Sequence, residues 1–364
     1  MGTVAATRAR VRDDLVRAVH RNVELPELVH LVSRSLGRAV PFEGTCLLTV
    51  DPSTLLPTGE IVENGLPSTA RIRLTEIELA EPDFNKFAEL AEAPVPAASL
   101  SAATAGDLDR SRRQREVRRP HGFADELRTV LAGPTGRWGT LTLLREAKRP
   151  YFTPGDVRFV ASLSPILAEG VRRALLVGGT ESGDDAGGTG FLVVAADDTV
   201  ELVNPAAQAW IDELAPADHS GAPLPVAIIT VVAQTRRLAT GDAGVLATAR
   251  VHTRRDRWVV VRGSTVDDGR VAVLLEAARP AELASAIVEV YGFTERERMI
   301  TELVARGLST GAIADRLHLS AYTVQDHLKA IFDKSGTRTR GELVARLFFD
   351  QQVPRLTAGA PGPR

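Results

Sequence analysis

Polar side chains at helical spacing near the carboxyl end of the chain are the ones best suited to recognition chemistry. They follow Ser320 and are Tyr322, Gln325, Asp326, Lys329 and Asp333. Glutamine can pair with an adenine edge, aspartate can accept a hydrogen bond from a cytosine amine, and lysine can donate to guanine. The spacing predicts a helix face able to read base edges, provided that the opposite face packs on a domain.

The opposite face has the apolar stripe that this packing needs. Val324, Leu328, Ile331 and Phe332 recur at i, i+4, i+7 and i+8, which is the spacing of a buried helix side. Because the major groove admits one helix, a helix supported in this way can be presented to double-stranded DNA. On physical grounds alone, an ordinary three-helix subdomain with a mixed polar surface is the alternative.

Local start and stop signals divide this region into three helices. Thr294 and Glu297 have the spacing of a capping box, and Gly307 supplies the left-handed residue that ends the first helix. Ser309 and Ser320 stand where the second and third helices need N-caps. The inward residues of the first two helices are Ile300, Leu303, Val304, Ile313, Ala314 and Leu317. The pattern predicts helix, tight turn, helix.

Residues 292–350 resemble the C-terminal domain of LuxR-type transcriptional regulators, an all-α four-helix module of the helix-turn-helix class. The matching residues are Thr294, Arg296, Glu297, Gly307, Ser309, Ile313, Ala314, Leu317, Ser320, Thr323, Val324, His327, Leu328, Ile331, Lys334 and Arg340. Many relatives have Asn-Lys-Glu where Thr310, Gly311 and Ala312 stand, and lysine where Gln325 stands. Gly311 costs about 1 kcal/mol in a helix interior, and Gln325 removes a positive charge from the DNA side.

The resemblance implies DNA-contacting roles for particular residues. Base contacts would come from Gln325, Asp326 and Lys329, whereas Thr323, His327 and Lys334 would lie nearer the phosphates and set the register. Basic residues also outnumber acidic ones near the end of the module, and these are Lys329, Lys334, Arg338, Arg340 and Arg346. Since the formal net charge of the chain is −2, nucleic-acid affinity must come from this local patch, including Arg340.

Residues 8–176 are predicted to form an α+β domain. Two helical patterns precede a strand at 44–50, a hairpin turns at 133–136, and a long exit helix runs from 153 to about 176. Three segments resemble those of a GAF domain, namely FADELR from Phe123, WGTLTLL from Trp138 and FTPGD from Phe152. The resemblance implies a sensory domain.

A second α+β domain is predicted after a polar, glycine-rich linker at 177–189. Residues 190–279 have the order strand, strand, helices, three strands, and the segment VNPAA from Val203 resembles the turn into the first helix of a PAS domain. Residues 280–291 are expected to be a helical connector, and 351–364 a disordered tail.

Several features narrow the class of protein. The single cysteine, Cys46, excludes internal disulfides and multi-cysteine zinc sites, and is predicted to be a small buried residue in a strand. The scattered histidines predict no metal site. No apolar stretch of about 18 residues and no signal core is found, so a cytoplasmic chain without membrane contact is expected. The arginine-rich run at 110–119 is interpreted as a solvated helix or loop, and the order of elements does not suit a phosphorylated receiver domain.

The sequence therefore predicts a multidomain transcriptional regulator: an α+β GAF-like domain, an α+β PAS-like domain and an all-α four-helix LuxR-type helix-turn-helix domain. Expected partners are double-stranded promoter DNA and a second copy in a homodimer, with RNA polymerase as a further candidate. No catalytic residue, metal or cofactor is expected, and a small-molecule effector of either sensory domain is left open. The alternatives are an interaction scaffold with a degenerate helix-turn-helix, favoured by Gln325, and a GAF-type redox enzyme, for which Cys46 lacks a second cysteine.

Overall fold

The computed structural model describes residues 2–21, 23–134, 136–177, 188–215, 224–241, 246–255, 257–278, 293–335 and 337–343. The predicted connector at 280–291, the tail at 351–364 and most of the linker at 177–189 lie outside these residues. The chain divides into two compact units, one holding both α+β domains and the other the carboxyl-terminal helices.

The first α+β domain has a five-stranded sheet in the order β2-β1-β5-β4-β3. Its strands are β1 (Gly44–Val50), β2 (Pro57–Glu63), β3 (Ala97–Ser99), β4 (Phe123–Gly133) and β5 (Gly136–Glu146). Its helices are α1 (Gly2–Val19), α2 (Leu25–Gly37), α3 (Arg71–Ala80), α4 (Phe87–Glu92), α5 (Leu100–Ala103) and α6 (Pro154–Val177). The predicted first strand, the hairpin strands and the exit helix are confirmed.

The exit helix α6 packs on β4 and on α1 and α2. Gly170 allows the close approach, because a Cβ atom there would lie 2.8 Å from Val19 Cγ2 and 3.1 Å from Leu28 Cδ2. The buried apolar residues of α6 are Phe159, Val160, Leu163, Leu167, Ala168 and Val171. Most of its apolar side is therefore used within its own domain.

The second α+β domain has a five-stranded sheet in the order β7-β6-β10-β9-β8. Its strands are β6 (Gly190–Val194), β7 (Val200–Val203), β8 (Thr248–His252), β9 (Trp258–Thr265) and β10 (Val271–Ala277). Its helices are α7 (Pro205–Leu214) and α8 (Val226–Ala239). Asn204 caps α7, as its position before Pro205 predicts, by accepting a hydrogen bond from Ala207 N at 2.8 Å. Numbered within its own domain, each sheet has the strand order 2-1-5-4-3.

Helix α8 joins the two α+β domains into their common unit. It packs on α3 and on β2 of the first domain. Leu56, from the turn between β1 and β2, is buried in the hydrophobic core of the second domain. The predicted domains are thus distinct in their sheets but share a packed boundary.

The carboxyl-terminal unit has three described helices, α9 (Glu295–Ala305), α10 (Thr310–Leu317) and α11 (Ala321–Ser335). They surround a core that includes Phe293, Ile300, Ile313, Val324, Leu328, Ile331 and Leu343. The predicted capping box of Thr294 and Glu297 is confirmed, and Gly307 has a φ of 81°. Residues 340–343 are helical and begin the predicted fourth helix, whose remainder lies outside the described residues. No described helix is long and apolar enough to cross a membrane.

Candidate nucleic-acid interface and sensor cavity

Helix α11 is held by its start and by its apolar side. Ser320 Oγ accepts a hydrogen bond from Thr323 N at 3.0 Å and lies 2.8 Å from Thr323 Oγ1. Val324, Leu328 and Ile331 are buried, as the spacing predicts. Because both the cap and the packing stripe are fixed, the side of α11 that faces solvent is fixed as well.

That solvent face presents the polar residues singled out by spacing. Its exposed members are Tyr322, Gln325, Asp326, Lys329 and Asp333. Tyr322 is 73% exposed, and Lys329 Nζ lies 4.0 Å from Asp326 Oδ1. An exposed ion pair of this kind contributes little to stability, so both side chains can exchange it for contacts to a ligand. Thr323 and His327 flank this face and are half-buried.

Lys334 makes a contact inside the domain. Its Nζ donates to Glu297 Oε2 at 2.7 Å, and Glu297 also accepts from Thr294 N at 2.6 Å. Burial opposes ionisation of Glu297, but the hydrogen bonds from Lys334 and Thr294 outweigh it and lower its pKa. Lys334 therefore ties the end of α11 to the start of α9, and a phosphate contact by Lys334 stays a prediction.

Arg340 also makes contacts inside the domain. Its Nη1 donates to Leu308 O at 2.8 Å, and its Nη2 donates to Thr310 Oγ1 at 2.8 Å. At the other end of α10, Arg296 Nη2 donates to Leu317 O at 3.1 Å. These two guanidinium groups brace both ends of α10. From the sequence, Arg340 is predicted to lie on the DNA surface. Its bracing role is not predicted, because Leu308 and Thr310 are distant along the chain.

A second candidate site is a cavity of about 120 Å³ in the first α+β domain. It lies against β1, β2 and β5, with α3 and α4 on its other sides. Its apolar walls include Leu48, Val62, Leu74, Leu79 and Leu144, and four arginines also reach it, Arg71, Arg113, Arg118 and Arg128. Apolar walls with a few placed polar groups are typical of small-molecule sites.

The cavity corrects the interpretation of the arginine-rich run. Arg113 and Arg118 are buried, whereas Arg112, Arg115 and Arg119 are exposed. Both buried guanidinium groups form ion pairs with Glu126 of β4. The solvated interpretation is therefore wrong for these two residues, since the buried carboxylate of Glu126 on the next strand pairs with both of them.

Cys46 lies in β1, as predicted, and lines the same cavity. Its side chain is half-buried, and not buried as predicted, because it faces the cavity. Burial raises the pKa of the Cys46 thiol to about 11, against the opposing effect of nearby guanidinium groups. The thiol is therefore protonated at neutral pH. Among the described residues, no group of three or more His, Cys, Asp and Glu could hold a metal ion.

Short helices, a tight turn and one exposed helix face opposite a buried stripe define a helix-turn-helix domain. Residues 292–347 match the family model described as bacterial regulatory proteins of the luxR family. This segment is therefore a LuxR-family DNA-binding domain, and it follows two antiparallel-sheet α+β domains. No curated protein sequence matches the chain.

Solved structures supply further likenesses. The chain is similar to SdiA of Escherichia coli, at 14% identity over 92% of this chain and 94% of that chain, with a TM-score of 0.30. It is also similar to the phage VqmA–DPO complex (14% identity, 53% and 95% coverage, TM-score 0.19) and to bacteriophytochrome RpBphP3 of R. palustris (12%, 74% and 62%, TM-score 0.32). Because these TM-scores are all below 0.5, they support no conclusion about ligand or assembly.

Proposed function

We propose that this chain is a sequence-specific DNA-binding transcriptional regulator without catalytic activity. The observation that carries the proposal is the LuxR-family domain at 292–347 with an exposed polar face on α11. Gln325, Asp326 and Lys329 would read base edges in the major groove, and Thr323 and His327 would contact phosphates. Lys334 and Arg340 would support that face from within the domain, and their positive charges would add to its attraction for the DNA phosphates.

The two α+β domains would sense an effector and modulate DNA binding. The arginine-lined cavity supports this role for the GAF-like domain. The packing of α3 and β2 on α8 gives the PAS-like domain a way to respond to the cavity. A ligand shifts a conformational equilibrium only by its difference in affinity for the two states, so the effector would have to bind the cavity more tightly in one arrangement of this packing than in the other.

The regulator would act as a homodimer on DNA, in the cytoplasm, with RNA polymerase as a further candidate partner. Helix-turn-helix regulators pair because symmetric half-sites lie about one helical turn apart. The long helix α6 has apolar side chains suited to pairing, but they are largely used inside its own domain. The dimer proposal therefore rests on operator symmetry, and light scattering of the chain with and without DNA tests it.

A salt series on DNA tests the DNA-binding function. The full chain is titrated onto random-sequence and selected duplexes between 50 and 200 mM salt. Phosphate contacts make affinity fall at least about tenfold over this range, because counterions are released on binding. Absence of binding at low salt would reject the proposal in favour of an interaction scaffold with a degenerate helix-turn-helix.

A further inference from the structure

The buried guanidinium groups around the cavity of the first α+β domain differ in how fully their N–H donors are hydrogen-bonded. Two of its arginines are well paired. Arg113 donates to both Glu126 and Asp83 and to Phe84 O. Arg128 donates to Glu78 Oε2 at 2.7 Å and to Asn85 O at 2.9 Å, and its guanidinium lies 3.6 Å from the centre of the Phe87 ring. Each of these two guanidinium groups therefore has a carboxylate of its own, Asp83 for Arg113 and Glu78 for Arg128.

Arg118 has fewer partners than these two arginines. It is 4% exposed, and its ion-pair partner among the described residues is Glu126. Glu126 already accepts two hydrogen bonds from Arg113, so one carboxylate serves two guanidinium groups. Within the described chain, Arg118 Nε has no hydrogen-bond acceptor. A buried donor without an acceptor costs about 1–3 kcal/mol, and more for a charged group.

Neighbouring donors add to this imbalance. In the described part of the chain, Arg71 Nε and Arg128 Nε also lack acceptors. Burial lowers the pKa of Arg118 to about 10, with Glu126 acting in the opposite direction, so the group is still a cation at neutral pH. Glu60, Asp83, Glu126 and Glu78 match the four guanidinium charges. What the cavity holds is therefore a buried cation with unmet hydrogen-bond donors, beside walls formed by leucine and valine side chains.

We infer that this cavity binds a small organic monocarboxylate, with its carboxylate on Arg118 and its apolar body against β1, β5 and α3. The inference rests on the proposed sensing function and names the ligand class. A planar guanidinium matches a carboxylate with two parallel hydrogen bonds, and a carboxylate supplies the acceptor that Arg118 Nε lacks among the described residues. A cavity of about 120 Å³ limits the apolar body to roughly the size of benzene, which an apolar cavity of about 150 Å³ accommodates.

The position of the cavity connects it with the second α+β domain. Val226, in the first turn of α8, is one of its walls. Arg71 Nη1 also donates to Leu224 O at 3.4 Å, and Arg71 forms an ion pair with Glu60 of β2. A carboxylate in the cavity would therefore act on residues of both domains.

Isothermal titration calorimetry on the full chain tests the ligand class, with benzoate and hexanoate as probes and benzamide as the neutral isostere of benzoate. Benzoate is expected to bind at least tenfold more tightly than benzamide. Arg118→Met keeps an apolar stem without charge and is expected to weaken benzoate binding at least tenfold. Arg118→Lys keeps the charge without the planar guanidinium, so its affinity for benzoate should lie between those of the unmodified chain and Arg118→Met. Arg119→Met, at the exposed neighbouring position, is the matched control and should bind like the unmodified chain.

Folding and DNA binding are measured separately, so the outcomes can be told apart. Fluorescence of the three tryptophans, all of which lie in the α+β domains, reports whether each variant keeps these domains folded. Equal binding of benzoate and benzamide, or no binding of either carboxylate by a folded chain that still binds DNA, overturns the inference and leaves the DNA-binding function standing. Benzoate binding that depends on Arg118 in a chain that fails to bind DNA supports the ligand class and rejects the regulator.

Discussion

Asp51 of the first α+β domain accepts a hydrogen bond from the backbone N of Arg250, in the second, at 2.8 Å. The same carboxylate accepts from Arg250 Nη1 at 2.9 Å. It is fully buried and also accepts from the backbone N atoms of Ser53 and Thr54. One carboxylate therefore closes the turn after β1 and holds strand β8, so turn geometry and domain packing depend on each other.

Replacing Asp51 is expected to weaken both α+β domains together. Asp51→Ala removes the carboxylate that pairs with the Arg250 guanidinium and leaves several buried N–H donors without that acceptor. The free energy of unfolding should therefore fall by about 3 kcal/mol. Arg250→Ala should cost less, because the carboxylate keeps its backbone donors. Chemical denaturation followed by tryptophan fluorescence measures the effect.

A double-mutant cycle sharpens this prediction. The Asp51→Ala and Arg250→Ala effects should couple by about 1–2 kcal/mol. Asp109→Ala, which removes an exposed carboxylate paired with Arg119, is the control and should stay within about 0.5 kcal/mol of the unmodified chain. Additive effects at Asp51 and Arg250 would mean that the two side chains do not act as a pair.

Arg340 is expected to stabilise the helix-turn-helix domain. Arg340→Ala removes hydrogen bonds to Leu308 O and Thr310 Oγ1, and the loss should be about 2 kcal/mol. Peptide-resolved hydrogen exchange of the full chain should show faster exchange in α10. Arg338→Ala, at an exposed position nearby, should leave exchange unchanged. Unchanged protection with weaker DNA binding in Arg340→Ala would indicate a direct phosphate contact instead.

Asp326 and Lys329 are expected to differ in how they act on DNA. A carboxylate facing DNA costs affinity where no donor meets it, so Asp326→Ala should keep or raise non-specific affinity and relax specificity at one base pair. Lys329→Ala should weaken the preferred site by about 1–3 kcal/mol. Selection from a randomised DNA library measures both. Glu302→Ala on α9 and Arg306→Ala directly after it, both at exposed positions, are charge-matched controls. Unchanged preference in both α11 variants would mean that this face does not read bases.

His252 of β8 is expected to make the second α+β domain sensitive to acid. Its ring lies 5.1 Å from that of Trp258, and burial lowers its pKa to about 4. An unfolded histidine titrates near pH 6.5, so between these values the unfolded chain binds a proton that the folded chain does not. The free energy of unfolding should therefore fall as pH drops from about 6.5 to 4, by up to about 3 kcal/mol.

Denaturation series at several pH values test the His252 effect. His252→Gln should flatten the pH dependence in this window, and His20→Gln, at an exposed position, should not. All three tryptophans, Trp138, Trp210 and Trp258, lie in the α+β domains, so their fluorescence reports on this unit. A slope that His252→Gln leaves unaltered would assign the acid sensitivity to other groups.

The helical domain is expected to fold by itself. It has its own hydrophobic core and three capped helices, so a fragment of residues 285–350 should show a helical circular dichroism spectrum and bind DNA weakly. A fragment that stays unfolded under conditions in which the full chain is folded would place the domain boundary elsewhere.

The sequence by itself determined the elements whose signals are local. A capping serine such as Ser309 bonds an amide three residues ahead, and the apolar strand at Gly44–Val50 is recognisable from its own residues. The stripe of Val324, Leu328 and Ile331 likewise determined which face of α11 is exposed. These features need only the chain within a few positions, and this is why the helix-turn-helix could be predicted closely.

Tertiary structure alone decided the roles of the charged side chains. Arg340 and Lys334 belong to a basic cluster of the kind found on DNA-binding surfaces. In the structure they bind partners inside the domain, Leu308 and Glu297, which lie 32 and 37 positions away along the chain. Arg118 belongs to a run that looks solvated, but Glu126 turns it into the wall of a cavity. A long cation can reach water, phosphate or a buried carboxylate with equal ease, so its role depends on which distant oxygen the fold brings within reach.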